Sequence, residues 1–253
     1  ILSGLVGSEM CIRDRYRVVQ TTTVYLFGVA GLVAIQGVWQ FGLQVVIMVG
    51  LAMALYGWLL SGRYGNLQIM LLIGIIIGGG LGAISTFMQR LLTPSEFNVL
   101  AARLFGNVSN ADASYLPLAI PLCIAASALL WMRSRRLNLL ALGPDVSRSL
   151  GLDHKRELFI VLFLVAVLMA TSTALVGPMT FLGFLVATLA YQFADTYDHR
   201  LIFPVAVLTA FTILAGAYFV MKNVFYAQGM VSILIELVGG TVFLIVILRK
   251  GRL

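Results

Sequence analysis

The sequence predicts an all-α, polytopic membrane helix bundle. Of its 253 residues, 60% are hydrophobic and 11% are charged, and the apolar residues fall in long runs separated by short polar connections. A soluble domain carries about 25% charged residues. A hydrocarbon core about 30 Å thick is crossed by roughly 20 apolar helical residues. Lipid, rather than water, is therefore the solvent for most of this chain.

Eight spans follow from run length, Gly and Pro punctuation and charged flanks. The first covers Val19 to Ile35, the second Phe41 to Leu60 and the third Leu67 to Met88. A polar stretch from Arg90 to Tyr115 follows, in which Ser95 and Asn98 mark a short surface helix. The fourth span is Leu116 to Met132, and the fifth is Leu158 to Leu175, broken at Gly177-Pro178. A short sixth runs from Met179 to Ala194, the seventh from Leu201 to Val220, and the last from Met230 to Leu248.

The charge excess, 17 Lys and Arg against 10 Asp and Glu, would suit nucleic acid if it lined one face. Instead the basic residues sit at span ends. Arg17, Arg63, Arg133 to Arg136, Arg148, Lys155, Arg156, Arg200, Arg249, Lys250 and Arg252 all fall on one side of the predicted topology. The positive-inside rule makes that side the cytoplasm. Arg90, Arg103 and Lys222 fall on the other.

The first fifteen residues do not read like the rest. They are mixed in polarity and hold no apolar core for a signal peptide. Met10 to Arg15 back-translates to ATG-TGT-ATA-AGA-GAC-AG and one further base, which resembles the end of a transposon-type sequencing adaptor; an ordinary polar N-terminal tail is the alternative. Residues 1–15 are therefore expected to be an assembly artefact, with 16–253 as the transmembrane domain. Cys11 lies in that segment and Cys123 in an apolar run, which gives neither a disulfide framework nor a zinc site.

The longest cytoplasmic connection, residues 133–157, contains LALGPDVSRSLGL. Pro144 suits a first helical turn, Asp145 its positive end, and Gly151 its termination. The resulting short helix presents Val146, Leu150 and Leu152. Two readings are open: a connector packed on its own bundle, or an apolar edge that a partner covers.

That segment, followed in order by ALVGPMTFLGFLVATLAYQ, DHRLIFPVAVLTA and ELVGGTVFLIVILRKG, resembles the FecCD-type permeases of iron-siderophore, haem and cobalamin ABC importers. The resemblance covers Tyr16 to Leu253. It implies the cobalamin/siderophore permease bundle, normally of ten helices. The missing pair, with its Asn-Pro-Leu motif, would precede Tyr16. It implies that Leu142, Gly143, Ser147, Leu150 and Gly151 belong to the element that docks on an ATPase subunit. It also implies a second permease subunit, identical or paralogous, a periplasmic siderophore-binding protein and a ferric chelate as cargo. No G-x-x-x-x-G-K-[ST] loop occurs in the sequence, so ATP hydrolysis is expected in a separate chain and no cofactor in this one. Where the family reads close to GPIGFVGLIVPHIAR, this chain has Ala187, Thr188 and Tyr191 in place of Pro, His and Arg. That departure resembles the branch handling catecholate-type ferric chelates.

Candidate pathway residues each have a second reading. Glu236 is the sole ionisable residue deep in a span, where insertion costs about 2.5 kcal/mol or more. It lines the pathway or bonds a neighbouring helix. Gly78, Gly79 and Gly80 form the gate that the resemblance implies, or serve close helix packing. Gly177 and Pro178 break a helix where protein or water must satisfy the backbone, and Gly239-Gly240 reads as a packing notch. Lys222, and after it Arg103, are the residues expected to dock the binding protein; an ordinary snorkelling lysine is the alternative. His154 and His199 both lie in cytoplasmic loops, and no Cys/His/carboxylate cluster lies in the spans. Iron would thus cross with its own ligands. Haem or cobalamin as cargo, an ion-coupled secondary transporter and a structural membrane protein remain as alternatives.

Overall fold

A computed structural model of the chain describes residues 16–22, 38–61, 67–95, 97–98, 113–223 and 231–250. Residues 1–15, most of the first span, Arg63, Arg103 and Arg252 lie outside them. The described residues are helical apart from short connections. After a helical segment at 16–22 come α1 (Val38–Ser61), α2 (Leu67–Arg90), α3 (Leu116–Met132), α4 (Ser134–Leu140), α5 (Pro144–Ser149), α6 (His154–Val176), α7 (Thr180–Ala194), α8 (His199–Asn223) and α9 (Val231–Lys250).

Seven of the eight expected spans are present as α1, α2, α3, α6, α7, α8 and α9, with boundaries within a few residues of the apolar runs. Helices at Ala113–Met132, which includes a 3-10 turn before α3, His154–Val176 and His199–Asn223 are each long and apolar enough to cross a bilayer. The short α7 rises only about 22 Å at 1.5 Å per residue. Around Ser95 the chain is helical, with the Phe97 N–H donating to the Thr93 carbonyl at 2.9 Å.

One helix, α4, departs from the polarity pattern. Its sequence SRRLNLL reads as a charged flank, yet it forms two turns directly beyond α3. The reason is tertiary: α4 packs against α6 and α8, which hold it in place. A seven-residue helix would not persist alone in water.

Side chains pack in two groups. In the first, Tyr16, Phe41, Val45, Met48, Ala119 and Ala170 bring 16–22, α1, α3 and α6 together, and Tyr115 stacks on Phe41 with ring centroids 5.3 Å apart. Ala126, Leu130, Leu164 and Val167 extend this contact between α3 and α6. The buried alanines let helix backbones approach closely, which matters because lipid tails are as apolar as leucine and give no solvent-driven association. In the second group, Leu185, Ala217, Val231 and Ile235 join α7, α8 and α9. Phe203 of α8 reaches the α3–α6 contact and links the two groups.

Hydroxyls within the spans bond to their own helices. Thr171 donates to the Val167 carbonyl at 2.7 Å, Thr188 to Phe184 at 2.8 Å and Thr209 to Val205 at 2.7 Å. Each polar group is thereby satisfied without water. Between elements, the buried hydroxyls of Thr21 and Ser85 lie 3.2 Å apart and tie the 16–22 segment to α2.

The Gly239-Gly240 pair splits into two roles. A Cβ at Gly239 would lie 2.6 Å from the Cβ of Phe181 on α7, whereas one at Gly240 meets no described atom within 4 Å. Gly239 alone is the notch. Gly239→Ala should destabilise the α7–α9 contact by about 1–3 kcal/mol, the range for overpacking a filled site, and Gly240→Ala should be neutral. Thermal unfolding of the detergent-solubilised variants checks the contrast.

Candidate functional site

The loops at residues 133–157 and 195–200 meet at one end of the bundle, carrying Arg133, Arg135, Arg136, Arg148, Lys155, Arg156 and Arg200. This is the end that the charge pattern predicts to be cytoplasmic. The segment 133–157 is built from α4, which its neighbours hold in place, and from α5 and the first turn of α6, which have local causes.

Gly143 opens α5 at φ 95°, a left-handed conformation that a side chain would strain. Pro144 and Asp145 then occupy the first turn. The helix ends in a Schellman arrangement: the Leu152 N–H donates to the Ser147 carbonyl at 3.0 Å, the Gly151 N–H to the Arg148 carbonyl at 2.9 Å, and Gly151 has φ 79°. The two glycines fix α5 as one turn and a half with sharp ends.

Fully buried Ser147 points inward, its hydroxyl 2.8 Å from Nδ1 of His154 at the start of α6. On the opposite edge Leu142, Val146 and Leu150 are 57%, 45% and 58% exposed. The expected polarity of α5 is therefore present. One face is anchored to the bundle by a hydrogen bond, and the other offers an apolar row that this chain's described residues leave uncovered. Asp145, Arg148 and Ser149 flank that row and are exposed.

A carboxylate secures the base of the segment. Glu157, in the first turn of α6, has a side chain only 8% exposed. One of its oxygens accepts from Arg133 Nη1 at 2.7 Å and the other from Arg136 Nη1. Arg133 ends α3 and Arg136 lies on α4, so one buried acid fastens the α3–α4 corner to α6. Such charge-assisted bonds are the stronger kind, and the carboxylate is buried while the two guanidinium groups reach toward solvent. Asp153 caps α6 by accepting from the Arg156 N–H at 3.3 Å.

A second anchor joins α4 to α8. The Asn138 Nδ2 donates to Asp198 Oδ1 at 2.8 Å, and its Oδ1 accepts from the His199 backbone N–H at 3.1 Å and lies against His199 Nδ1. The same Asp198 oxygen accepts from the Arg200 N–H at 3.1 Å, so Asp198 is the N-cap of α8. These bonds hold the Asp198 carboxyl below its ordinary range.

Elsewhere the candidates are scattered. Gly78 is buried in α2, while Gly79 and Gly80 are exposed and have no described atom within 4 Å of a hypothetical Cβ. Contacts within the described residues do not account for that pair. Gly177 and Pro178 are buried between α6 and α7; Gly177 has φ 88°, and its N–H closes α6 on the Thr173 carbonyl at 2.9 Å. Glu236 is half-buried on α9, one turn beyond buried Ser232. Lys222 is exposed in the last turn of α8, the end opposite Arg200. The described residues contain no cluster of His, Cys, Asp and Glu able to hold a metal ion.

Sequence reasoning singled out Ser147, Leu150 and both glycines of α5 but passed over Glu157, Asn138 and Asp198. An acid in a helix's first turn and an Asp directly before an apolar run are recognisable signals. Their partners lie 21 to 61 residues away, and nothing local announces them.

Removing the shared acid with Glu157→Ala should cost roughly 1–3 kcal/mol, as for hydrogen bonds between charged groups. Limited proteolysis should then cut within 133–157 faster than in the parent protein. pH should act on the same segment. Burial, with Arg148 adding to it, holds His154 below the ordinary imidazole value, and burial does the same to His199, against the pull of Asp198. Folded imidazoles of lowered pKa take up protons later than unfolded ones. Their contribution is thus complete above the unfolded value and is lost as pH falls from about 6.5 through the folded pKa. Amide exchange in α4 and α5 should speed up between pH 7 and 5, and His154→Gln should reduce that dependence.

Comparison with known proteins accords with this geometry. The model of the FecCD transport family matches residues 17–249. The chain is 55% identical, over all of its 253 residues and 70% of the relative's length, to the petrobactin import system permease protein FatC of Bacillus anthracis. It is 32% identical to the petrobactin import permease YclO of Bacillus subtilis over 98% of this chain and 79% of that one. A solved inward-facing metal-chelate-type ABC transporter shares the fold, with TM-score 0.80 and 21% identity over 98% of this chain and 82% of that chain. From residue 17 to residue 249, this membrane protein is a member of the FecCD transport family.

Proposed function

We propose that the chain is the membrane-spanning permease subunit of an ATP-driven importer that carries a ferric siderophore, with petrobactin as cargo, across the bacterial inner membrane. The observation that carries this reading is the 55% identity to FatC along the whole chain, supported by the likeness to YclO. ATP hydrolysis belongs to a separate ATPase subunit, for which the exposed row Leu142, Val146 and Leu150 on α5 is the docking edge. Gly143 and Gly151 set that edge's position, and Ser147 holds it to α6. A second permease subunit, identical or paralogous, completes the pathway, and a siderophore-binding protein delivers cargo at the face bearing Lys222.

The chelate crosses with its own iron ligands, and this chain binds no cofactor. Gly78, Gly79, Gly80 and the Gly177-Pro178 break serve as pathway and gate positions. Gly79 and Gly80 present bare backbone where no described neighbour demands it. Glu236 supplies a carboxyl beside that pathway.

A strain deleted for this gene and supplied with the full-length gene, its ATPase and its binding protein should accumulate labelled ferric petrobactin. Accumulation of haem or cobalamin alone would overturn the cargo assignment. The double change Val146→Asp with Leu150→Asp should cut uptake about tenfold or more, as loss of a central apolar contact does, with the permease still present in the membrane. Full uptake by that variant would remove α5 as the docking edge.

A further inference from the structure

We infer that Asn138 is a mechanical strut: it passes movement of the α4–α5 segment to α8 by gripping the N-terminal main chain and cap of that helix. The inference presupposes the ATP-driven permease reading, and it assigns positioning roles to Asn138 and Asp198 that neither the charge pattern nor the apolar row on α5 requires.

The grip is unusual in what it holds. A bond between two side chains can be lost by rotation of either one, whereas a main-chain partner moves only with its helix. Here the Asn138 amide uses both ends. Its Nδ2 donates to the capping carboxylate of Asp198 at 2.8 Å, and its Oδ1 accepts the first backbone N–H of α8, from His199, at 3.1 Å. The first N–H groups of a helix have no partner within it, so Asn138 completes the helix end rather than decorating it. A displacement of α4 cannot leave α8 behind without breaking the bond to the capping carboxylate and orphaning the His199 N–H.

The other end of the lever is equally fixed. Arg133 and Arg136 bind Glu157, which makes α4 the piece joining the first turn of α6 to the first turn of α8. Those helices belong to different packing groups, α6 with α1 and α3, α8 with α7 and α9. A load on the exposed edge of α5 reaches α4 through the Leu142-Gly143 turn and is divided between them. Because Glu157 takes two ion pairs from the α3–α4 corner while Asn138 makes one bond to a carboxylate and one to a main-chain N–H, α6 is the fulcrum and α8 the moving arm. The element has a contact at each end, and a second arrangement of it, which physical coupling between sites requires, is what the distance measurement below reads.

The test uses the complete complex with its ATPase and binding protein in proteoliposomes, with nitroxide labels at exposed Lys155 on α6 and Arg200 on α8. ATP binding should shift the label separation in the parent protein. Asn138→Ala should abolish that shift and lower chelate moved per ATP hydrolysed by about fivefold, within the span that coupling positions show, with hydrolysis itself kept within about twofold. Asp198→Asn, which keeps an acceptor and a good cap, should behave like the parent, and Asp198→Ala like Asn138→Ala. Distances are read on the assembled fraction only, so a folding defect does not mimic the result. An unchanged shift in assembled Asn138→Ala complex, or a fall in hydrolysis proportional to uptake, overturns the strut. If petrobactin is the wrong cargo, uptake fails already in the parent while the distance measurement still decides the strut.

Discussion

A peptide group in hydrocarbon has no water to bond, and leaving one unpaired costs several kcal/mol. Much of the structure of the described spans follows from that constraint. The backbone closes on itself as helices, threonine hydroxyls fold back onto carbonyls one turn away, and irregular backbone appears where other protein atoms surround it. The Gly177-Pro178 break illustrates the rule: both residues are buried, and Gly177 donates its N–H to α6 before the chain turns into α7. With the backbone satisfied internally, helix association depends on shape. Small residues at Ala119, Ala126, Ala170, Ala217 and Gly239 let neighbouring helices approach.

At the basic end of the bundle the balance reverses, because water is near and polar side chains can serve as connectors. There the architecture relies on a few directional bonds rather than on area. Glu157 collects two arginines, Ser147 meets His154, and Asn138 completes the first turn of α8. The segment between these anchors carries an apolar row outward. A short helix held rigid at its inner face and bare at its outer face is suited to receiving force from another subunit.

Local sequence disclosed the spans, since apolar run length is a property of consecutive residues, and it disclosed α5, since Gly143, Pro144, Asp145 and Gly151 each act on their own turn. It did not disclose α4. Ser134 to Leu140 has the composition of a charged flank, and its helicity comes from α6 and α8 pressing on it. Nor did it distinguish Gly239 from Gly240. Both are helical glycines with adjacent numbers, and the difference is that one faces the Cβ of Phe181.

The candidate site divides along the same line. The sequence alone determined that the chain lives in a bilayer, which end is basic, and that a short glycine-bounded helix projects from that end, because solvent preference and turn chemistry are written in neighbouring residues. Only the tertiary structure decided that Glu157 is the common anchor of two arginines and that Asn138 caps a helix beginning sixty-one residues later. Those facts depend on the angles at which α3, α6 and α8 cross, and crossing angles are set by the whole packed interface rather than by any stretch of chain.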